Sequence, residues 1–412
     1  MWWHVYPLGF LGADTTGGDR SAHRTLADIE PWLEYVLELG LNGVVLAPIF
    51  ESETHGYDTV DYYRIDARLG DERDFDGLIA AAHARGIRVL LDGVFNHVGR
   101  GFVAPESYPP ASDLVQHAAD GSLVPFEGHD ALVTLDHADD RVADLVVDVM
   151  TYWLGRGVDG WRLDAAYAVP SEFWAHVLPR VRALYPDAYL MGEYLHGDYP
   201  ALVRAGALDS ATQYELWQAI WHSIADANFF ELDWALRRHD EFLAVFTPYT
   251  FIGNHDVTRI ASQIADPRHH AHAVVLLMTL GGTPAVYYGD ERGERAVKEQ
   301  RAGGDDGIRP AYPVGPDAFG DDRGEVFRLH QELIGLRRRH AWLTAATSHT
   351  ISLTNTQYVF EVSAGSSRLL VALNLDDREL DVPTAAESLR AGDATRSAGV
   401  WRVRPHAWAI LE

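Results

Sequence analysis

Short β-rich apolar runs alternate with helical patterns along the first three-quarters of this chain, and that alternation leaves few folds open. Strands are expected at residues 4–11, 43–50, 88–95, 160–165, 188–194, 212–216, 249–252 and 285–288. Helical periodicity falls between them, for example at 26–39, 75–85, 140–156, 171–184, 231–244 and 270–280. Gly40 and Gly86 follow two of these helices, where a left-handed residue ends a helix at little cost. Strands joined through helices pair in parallel, and eight is the number that closes on itself. The expected fold class is therefore α/β, a (β/α)8 TIM barrel. The rival is an open doubly wound sheet, but no Gly-rich dinucleotide turn follows the first strand.

Two features break the rhythm. A long polar stretch with His and Pro, residues 98–137, exceeds an ordinary βα loop and reads as a short insertion over the active face. Beyond a last barrel helix at 325–339, short strands are expected at 358–362, 369–375, 400–404 and 408–411. The chain thus divides into a barrel (1–97 and 138–341), the insertion after strand 3 (98–137) and a small C-terminal all-β sandwich (342–412).

Bulk properties remove several classes of function. The formal net charge of −26 over 412 residues opposes binding to nucleic acid or to anionic membranes. The longest apolar run, 273–280, is far shorter than the ~20 residues that span a bilayer. With no cysteine there are no disulfides or thiolate metal sites. No basic start followed by an apolar stretch and a cleavage site is present, and a cytoplasmic location is expected. The 12 Trp and 18 Tyr supply flat rings of the kind that stack on pyranoses, although a large core uses such rings too.

In a barrel of this kind reactive side chains sit at the C-terminal ends of strands. Polar residues collect there. Strand 3 ends in DGVFNH (Asp92, Asn96, His97), strand 4 in GWRLD (Arg162, Asp164), strand 5 in GEYL (Glu193) and strand 7 in IGNHD (Asn254, His255, Asp256). Strand 2 runs into HGYD (His55, Tyr57, Asp58). Cleaving a glycosidic bond needs one protonated carboxyl to donate to the leaving oxygen and one ionised carboxylate to attack or to stabilise the oxocarbenium-like state. Arg162 and Asp164 are two apart on one strand and share a face, so the cation would keep that carboxylate ionised.

With these residues in hand, the chain resembles glycoside hydrolase family 13, the α-amylase family, from about residue 4 to 310. The four ordered signatures of that family are matched by DGVFNH, GWRLDAA, GEYL and GNHD. The resemblance implies that Asp164 is the nucleophile, Glu193 the general acid/base and Asp256 the third, transition-state-stabilising carboxylate. It implies that Arg162 supports the nucleophile, that His97 and His255 hold hydroxyls of the sugar in subsite −1, and that Tyr57 is the platform beneath that sugar. Asp58 is its structural neighbour, and Asp92 braces the arginine and the barrel. Asp306 and Arg309, within GGDDGIRP, resemble a pair that binds the next sugar outward.

Departures from the family pattern narrow the expectation. Glu193 is followed by Tyr194, Leu195 and His196, where many relatives have an aromatic or apolar pair. Tyr167 and Ala168 stand where many α-amylases carry Lys-His, and Thr134 stands near the position of a calcium-binding Asp. Asn96 is left with few partners, so an oxygen cage of about six to eight ligands is incomplete and calcium is disfavoured. No metal or other cofactor is expected. Ala165 after the nucleophile favours α-1,4 over α-1,6 linkages. The short insertion favours short soluble maltooligosaccharides as substrate. The alternatives are an α-glucosyl transferase or isomerase, a disaccharide α-glucosidase, and a non-catalytic carbohydrate-binding protein.

Elsewhere the plain readings are preferred. The acids from Asp139 favour a helix N-terminus, and Arg337, Arg338 and Arg339 a helix C-terminus. The histidines around 270–272 lack a carboxylate at helical metal spacing and read as a solvated helix start.

Overall fold

The structure is a computed structural model that describes residues 1–301, 303–320, 323–382 and 384–412. Eight parallel strands form its centre: β1 (Trp2–Val5), β2 (Gly43–Leu46), β3 (Arg88–Gly93), β4 (Gly160–Leu163), β5 (Tyr189–Gly192), β6 (Ser210–Ala211), β7 (Tyr249–Phe251) and β8 (Thr283–Tyr287). The order is β6-β5-β4-β3-β2-β1-β8-β7. A parallel bridge from Thr212 to Tyr249 joins the two ends, and Gln213 N donates to Tyr249 O at 2.9 Å. This is the TIM barrel expected from the alternation. Val45, Leu90, Met191, Tyr249, Phe251 and Ala285 pack in the barrel interior with Trp2.

Every barrel strand but β8 is shorter than the apolar run expected for it. β1 stops at Val5 because Pro7 opens a short helix, Pro7–Phe10. β2 stops at Leu46, and Phe50–Ser52 pairs antiparallel with Thr59–Ile65 instead, a hairpin with HGYD near its tip. The expected strand 212–216 is a correction: β6 ends at Ala211, and Tyr214–Ala225 is a helix. Gln213 caps it by accepting from Leu216 N at 3.1 Å, while Leu216, Ala219, Ile220 and Ile224 form its buried face at helical spacing. A helix over Tyr199–Gly206 was not expected either.

The segment after β3 is itself ordered. His97–Gly99 pairs with His129–Thr134, which pairs with Pro125–Phe126. A Cβ at Gly99 would lie 2.6 Å from the carbonyl oxygen of Asp58, so glycine permits this sheet to touch the β2 hairpin.

The C-terminal part has two antiparallel sheets. Thr347–Leu353, Gln357–Ala364, Ser367–Asn374, Trp408–Leu411 and Leu389–Gly392 form one; Leu380–Val382, Val400–Val403 and Ala394–Ser397 form the other. Val359, Leu370, Val382, Trp401, Val403 and Leu411 meet between them. Three of the four strands not foreseen carry exposed or half-buried residues along much of their length, and the fourth, Leu380–Val382, is only three residues long, so their apolar signal is weak.

Two sequence readings change where this part meets the barrel. His270 and His272 are buried, not solvated: the helix His270–Thr279 is apolar and enclosed. His272 Nε2 lies 3.2 Å from Asn374 O and 3.1 Å from Ala407 O. Arg337 lies in the last turn of Glu325–Arg339 but is buried too. Its guanidinium donates to Met278 O at 3.0 Å, Leu280 O at 2.7 Å and Gly282 O at 2.6 Å. It thereby satisfies carbonyls left free where the neighbouring helix ends. Asp139 does cap its helix, accepting from Arg141 N at 2.8 Å. Among the described residues no helix is long and apolar enough to cross a membrane.

Candidate active site

The C-terminal ends of β3, β4, β5 and β7 deliver their polar residues into one pocket of about 520 Å³. Asp164, Glu193 and Asp256 all line it, with Tyr57, His97, Asp306 and Arg309. Asp164 and Glu193 keep only 9% and 8% of their side chains exposed, while Asp256 keeps 31%.

Arg162 organises the buried charges. Its Nη1 donates to both oxygens of Asp92, at 2.7 and 2.6 Å, and to Asp164 Oδ1 at 3.2 Å. Its Nη2 donates to Glu193 Oε1 at 2.6 Å. Two potentially reacting carboxyl groups therefore share one guanidinium. Asp92 is also bonded by the Tyr57 hydroxyl at 3.0 Å. Burial opposes the charge on Arg162, but the surrounding anions, Asp92 and Glu193 foremost, hold it protonated beyond the ordinary arginine value.

Glu193 has two further donors. The backbone N–H of Ala165 reaches Oε2 at 3.0 Å, and the Tyr214 hydroxyl reaches Oε1 at 3.1 Å. Asn254 Nδ2 donates to Tyr214 at 2.8 Å, and Asn254 Oδ1 accepts from Asp256 N at 2.8 Å. A chain of polar contacts thus links the ends of β5 and β7. The Ala165 N–H is aimed by a left-handed residue, at φ 45°.

The two other carboxylates have opposed proton affinities. Burial and the Glu193 charge push Asp164 well above the ordinary carboxylate range, against the pull of Arg162. Burial also works against ionising Asp256, but His255 and Arg309 outweigh it and hold this group well below that range. His255 Nε2 lies 3.0 Å from Asp256 Oδ2, and Arg309 Nη2 donates to Oδ1 at 2.9 Å. One carboxylate in the pocket is thus firmly ionised, and the crowded pair beside it retains a proton most readily.

The aromatic walls follow from the β2 hairpin and the insertion. Tyr57 stacks on His255 with centroids 5.4 Å apart, and its hydroxyl hydrogen-bonds His255 Nε2. Tyr6 stacks near-parallel to the same imidazole, with centroids 6.1 Å apart. His97 lies flat against Phe126 at 4.6 Å and reaches Tyr57 O through Nε2 at 3.1 Å. Burial lowers the His97 imidazole to about 4, so it is neutral at physiological pH. Asp58 is buried behind Tyr57 and accepts from Thr54 Oγ1 at 2.5 Å.

Of the two residues expected to bind the next sugar outward, Arg309 lines the pocket and bonds Asp305 at 3.1 Å. Asp306 remains on the pocket rim, where Thr15 Oγ1 donates to it at 3.4 Å. Asn96 is buried and turns its amide to His97 Nδ1 at 3.0 Å. Among the described residues, no cluster of three carboxylate or imidazole ligands forms around it.

Three contributors lay outside the sequence reading of the site. Tyr214 was assigned to a strand. Phe126 and Glu127 belong to the insertion, and Glu127 accepts from the Tyr167 hydroxyl at 2.9 Å across the pocket lining. Tyr214 opens the helix after β6, at the same end of the barrel as the motifs, and that placement was its one legible signal.

The chain is similar to known proteins in sequence and in fold. The family model "Alpha amylase, catalytic domain" matches residues 4–107 and 126–313. A cyclomaltodextrinase of Bacillus sp is 31% identical over 408 residues, covering 90% of this chain and 65% of the relative. A maltogenic α-amylase of Bacillus acidopullulyticus is 31% identical over 339 residues, covering 76% and 55%. An intracellular maltogenic amylase of Bacillus subtilis is 30% identical over 304 residues, covering 68% and 50%. This chain thus spans about half to two-thirds of the length of these curated relatives. Among solved structures, cyclic α-maltosyl-(1→6)-maltose hydrolase from Arthrobacter globiformis superposes with a TM-score of 0.82 at 25% identity, covering 100% of this chain and 97% of that one. The barrel, the ordered motifs at its strand ends and the family match over most of its length together make this chain a member of the α-amylase family.

Proposed function

We propose that this chain hydrolyses α-1,4-glucosidic bonds of maltooligosaccharides or related α-glucans by double displacement, with retention at the anomeric carbon. The observation that carries the reading is the shared guanidinium: Asp164 and Glu193 both bond Arg162, and the ionised Asp256 lines the same pocket. A covalent intermediate needs the two carboxyls about 5–5.5 Å apart, and two carboxyls held on one guanidinium are compatible with that spacing.

In the first step Glu193 donates a proton to the glycosidic oxygen, the bond from that oxygen to the anomeric carbon breaks, and Asp164 Oδ forms an ester to the carbon. The proton starts on the crowded carboxyl pair. Positive charge developing at the sugar favours the ionised form of Asp164, which leaves the proton to Glu193. In the second step Glu193 takes a proton from water, the water oxygen bonds the anomeric carbon, and the ester breaks to free Asp164. Asp256, kept charged by His255 and Arg309, stabilises the oxocarbenium-like state between them. Tyr57 offers the ring beneath the sugar; a sugar hydroxyl takes His97 Nε2 only in exchange for Tyr57 O, and the buried His255 acts through Tyr57 and Asp256. Asp306 lies further out on the rim, while Arg309 acts through Asp256. No step needs a metal.

The names of the Bacillus relatives support cyclodextrins and maltooligosaccharides as the substrate class, and the name of the Bacillus subtilis relative supports a cytoplasmic location. If a sugar hydroxyl replaces water in the second step, the same site transfers rather than hydrolyses. Product analysis by NMR with maltotriose, maltoheptaose, a cyclodextrin, trehalose and isomaltose decides among these. Release of the α-anomer first from the α-1,4 substrates is the expected result. Rearranged or longer products would replace hydrolysis by transfer, and first release of the β-anomer would overturn the mechanism.

A further inference from the structure

Asp266 and His269, neighbours on one turn, and His406, far along the chain, bring three metal-binding atoms within 4.8 Å of one another. Asp266 and His269 flank the short 3-10 turn that leads into the helix His270–Thr279 of the barrel. His406 lies on the turn before the last strand of the C-terminal sheets, Trp408–Leu411. His269 Nε2 and His406 Nδ1 face each other at 2.9 Å. The other ring nitrogen of His406, Nε2, meets Asp377 Oδ1 at 2.8 Å.

That last contact gives the cluster its chemistry. A carboxylate on Nε2 draws the ring proton there and leaves the Nδ1 lone pair directed at His269. An imidazole oriented from behind by a carboxylate is the arrangement that metal-bound histidines use. We propose that Asp266, His269 and His406 form a site for a zinc-class divalent cation that clamps the C-terminal sheets to the barrel. Two imidazoles and one carboxylate suit zinc, cobalt or nickel and not calcium or magnesium, which take oxygen ligands.

The geometry needs small movements only. Ligand bonds of about 2.0–2.1 Å in a tetrahedron put ligand atoms about 3.3 Å apart. The two nitrogens must open slightly from 2.9 Å, and the carboxylate must close from within 4.8 Å. A fourth position is left for water. The turn that carries His406 is held by its neighbours. His406 N donates to Asp376 O at 3.3 Å, and the carbonyl of the next residue, Ala407, receives His272 at 3.1 Å. Asp266 is at present bonded by Arg268, Nε to Oδ1 at 3.0 Å and Nη2 to Oδ2 at 2.6 Å. That arginine side chain is 57% exposed, so water can replace one of its bonds, and a carboxylate has lone pairs for both partners. No local motif marks this cluster, because His269 and His406 stand 137 residues apart.

The test is thermal unfolding of the full chain after chelator treatment, with zinc or calcium added, beside calorimetric titration with zinc. Zinc is expected to raise Tm with a stoichiometry of one, chelator to reverse the rise, and calcium to leave Tm unchanged. His406→Ala and Asp266→Asn should remove the response, and Asp377→Asn should weaken zinc binding about 10–100-fold. Should His406→Ala fold poorly, cobalt absorption in the visible range for the wild type, lost in Asp266→Asn, carries the same decision. No zinc-dependent shift, an equal shift with calcium, or a response unchanged in both variants would overturn the proposal.

Discussion

Tyr214 donates its hydroxyl to Oε1 of Glu193 at 3.1 Å, the same oxygen that Arg162 bonds at 2.6 Å. Burial and the charges of Glu193 and Asp256 push the Tyr214 phenol far above its ordinary value, so it stays a donor at any working pH. It fixes where the acid/base oxygen sits without taking part in a bond that forms or breaks.

Tyr214→Phe keeps the ring and removes that donor. Hydrogen bonds to charged groups contribute about 1.5–3 kcal/mol, so kcat should fall about 10–100-fold. The basic limb of the pH–rate profile should move to higher pH, because a carboxyl pair with one donor fewer holds its proton longer. Steady-state kinetics from pH 5 to 9 checks both. A wild-type profile and rate would remove Tyr214 from the positioning role.

Tyr167 is 36% exposed and tied to Glu127 of the insertion. Its ring lines the pocket together with Phe126, on elements that the proposed −1 residues do not use. Tyr167→Ala should raise KM for maltoheptaose several-fold and change kcat little, since stacking with an outer sugar is made equally in the ground state and the transition state. A loss confined to kcat would assign Tyr167 to the chemistry instead.

Asp240 lies in the helix Phe229–Leu243 and accepts from Ser348 N and Oγ at the edge of the C-terminal sheets. Burial raises its carboxyl from 3.8 to about 6 despite those bonds. A folded value above the unfolded one means the native state binds the proton more tightly. Its stabilising contribution is therefore present below pH ~4 and lost as pH rises through 6. Asp240→Asn keeps an acceptor for Ser348 and removes the charge, so it should raise Tm by about 1–3 °C at pH 7.5, a modest gain because solvent screens a partly open site. At pH 4 the gain should vanish. An equal gain at both pH values would show that charge is not its cause.

What could be read in the sequence follows from how local each signal is. β3, β4, β5 and β7 end at motif residues, and the apolar run of each strand lies beside its reactive side chain. Strand pairing then forces Asp164, Glu193 and Asp256 together whatever the loops do. β6 is two residues long, too short for any periodicity, so its neighbourhood was misread and Tyr214 with it. Glu127 and Phe126 depend on how an irregular insertion folds back over the barrel. Arg337 and His272 look like solvated charges until the partner that buries them is in place, because burial is a tertiary property. Arg309 lines the pocket, and the carboxylate it bonds there, Asp305, is set by the backbone path of the loop.

The most direct test of the central claim is to trap the covalent intermediate. Glu193→Gln retains the nucleophile but lacks the group that activates water, so an α-maltosyl fluoride, whose leaving group needs little acid assistance, should form the ester faster than it is hydrolysed. Peptide mass spectrometry after rapid acid quench should find one maltosyl unit on the peptide containing Asp164, and none in Asp164→Asn. A maltosyl unit on Asp256, or labelling unchanged in Asp164→Asn, would contradict the account.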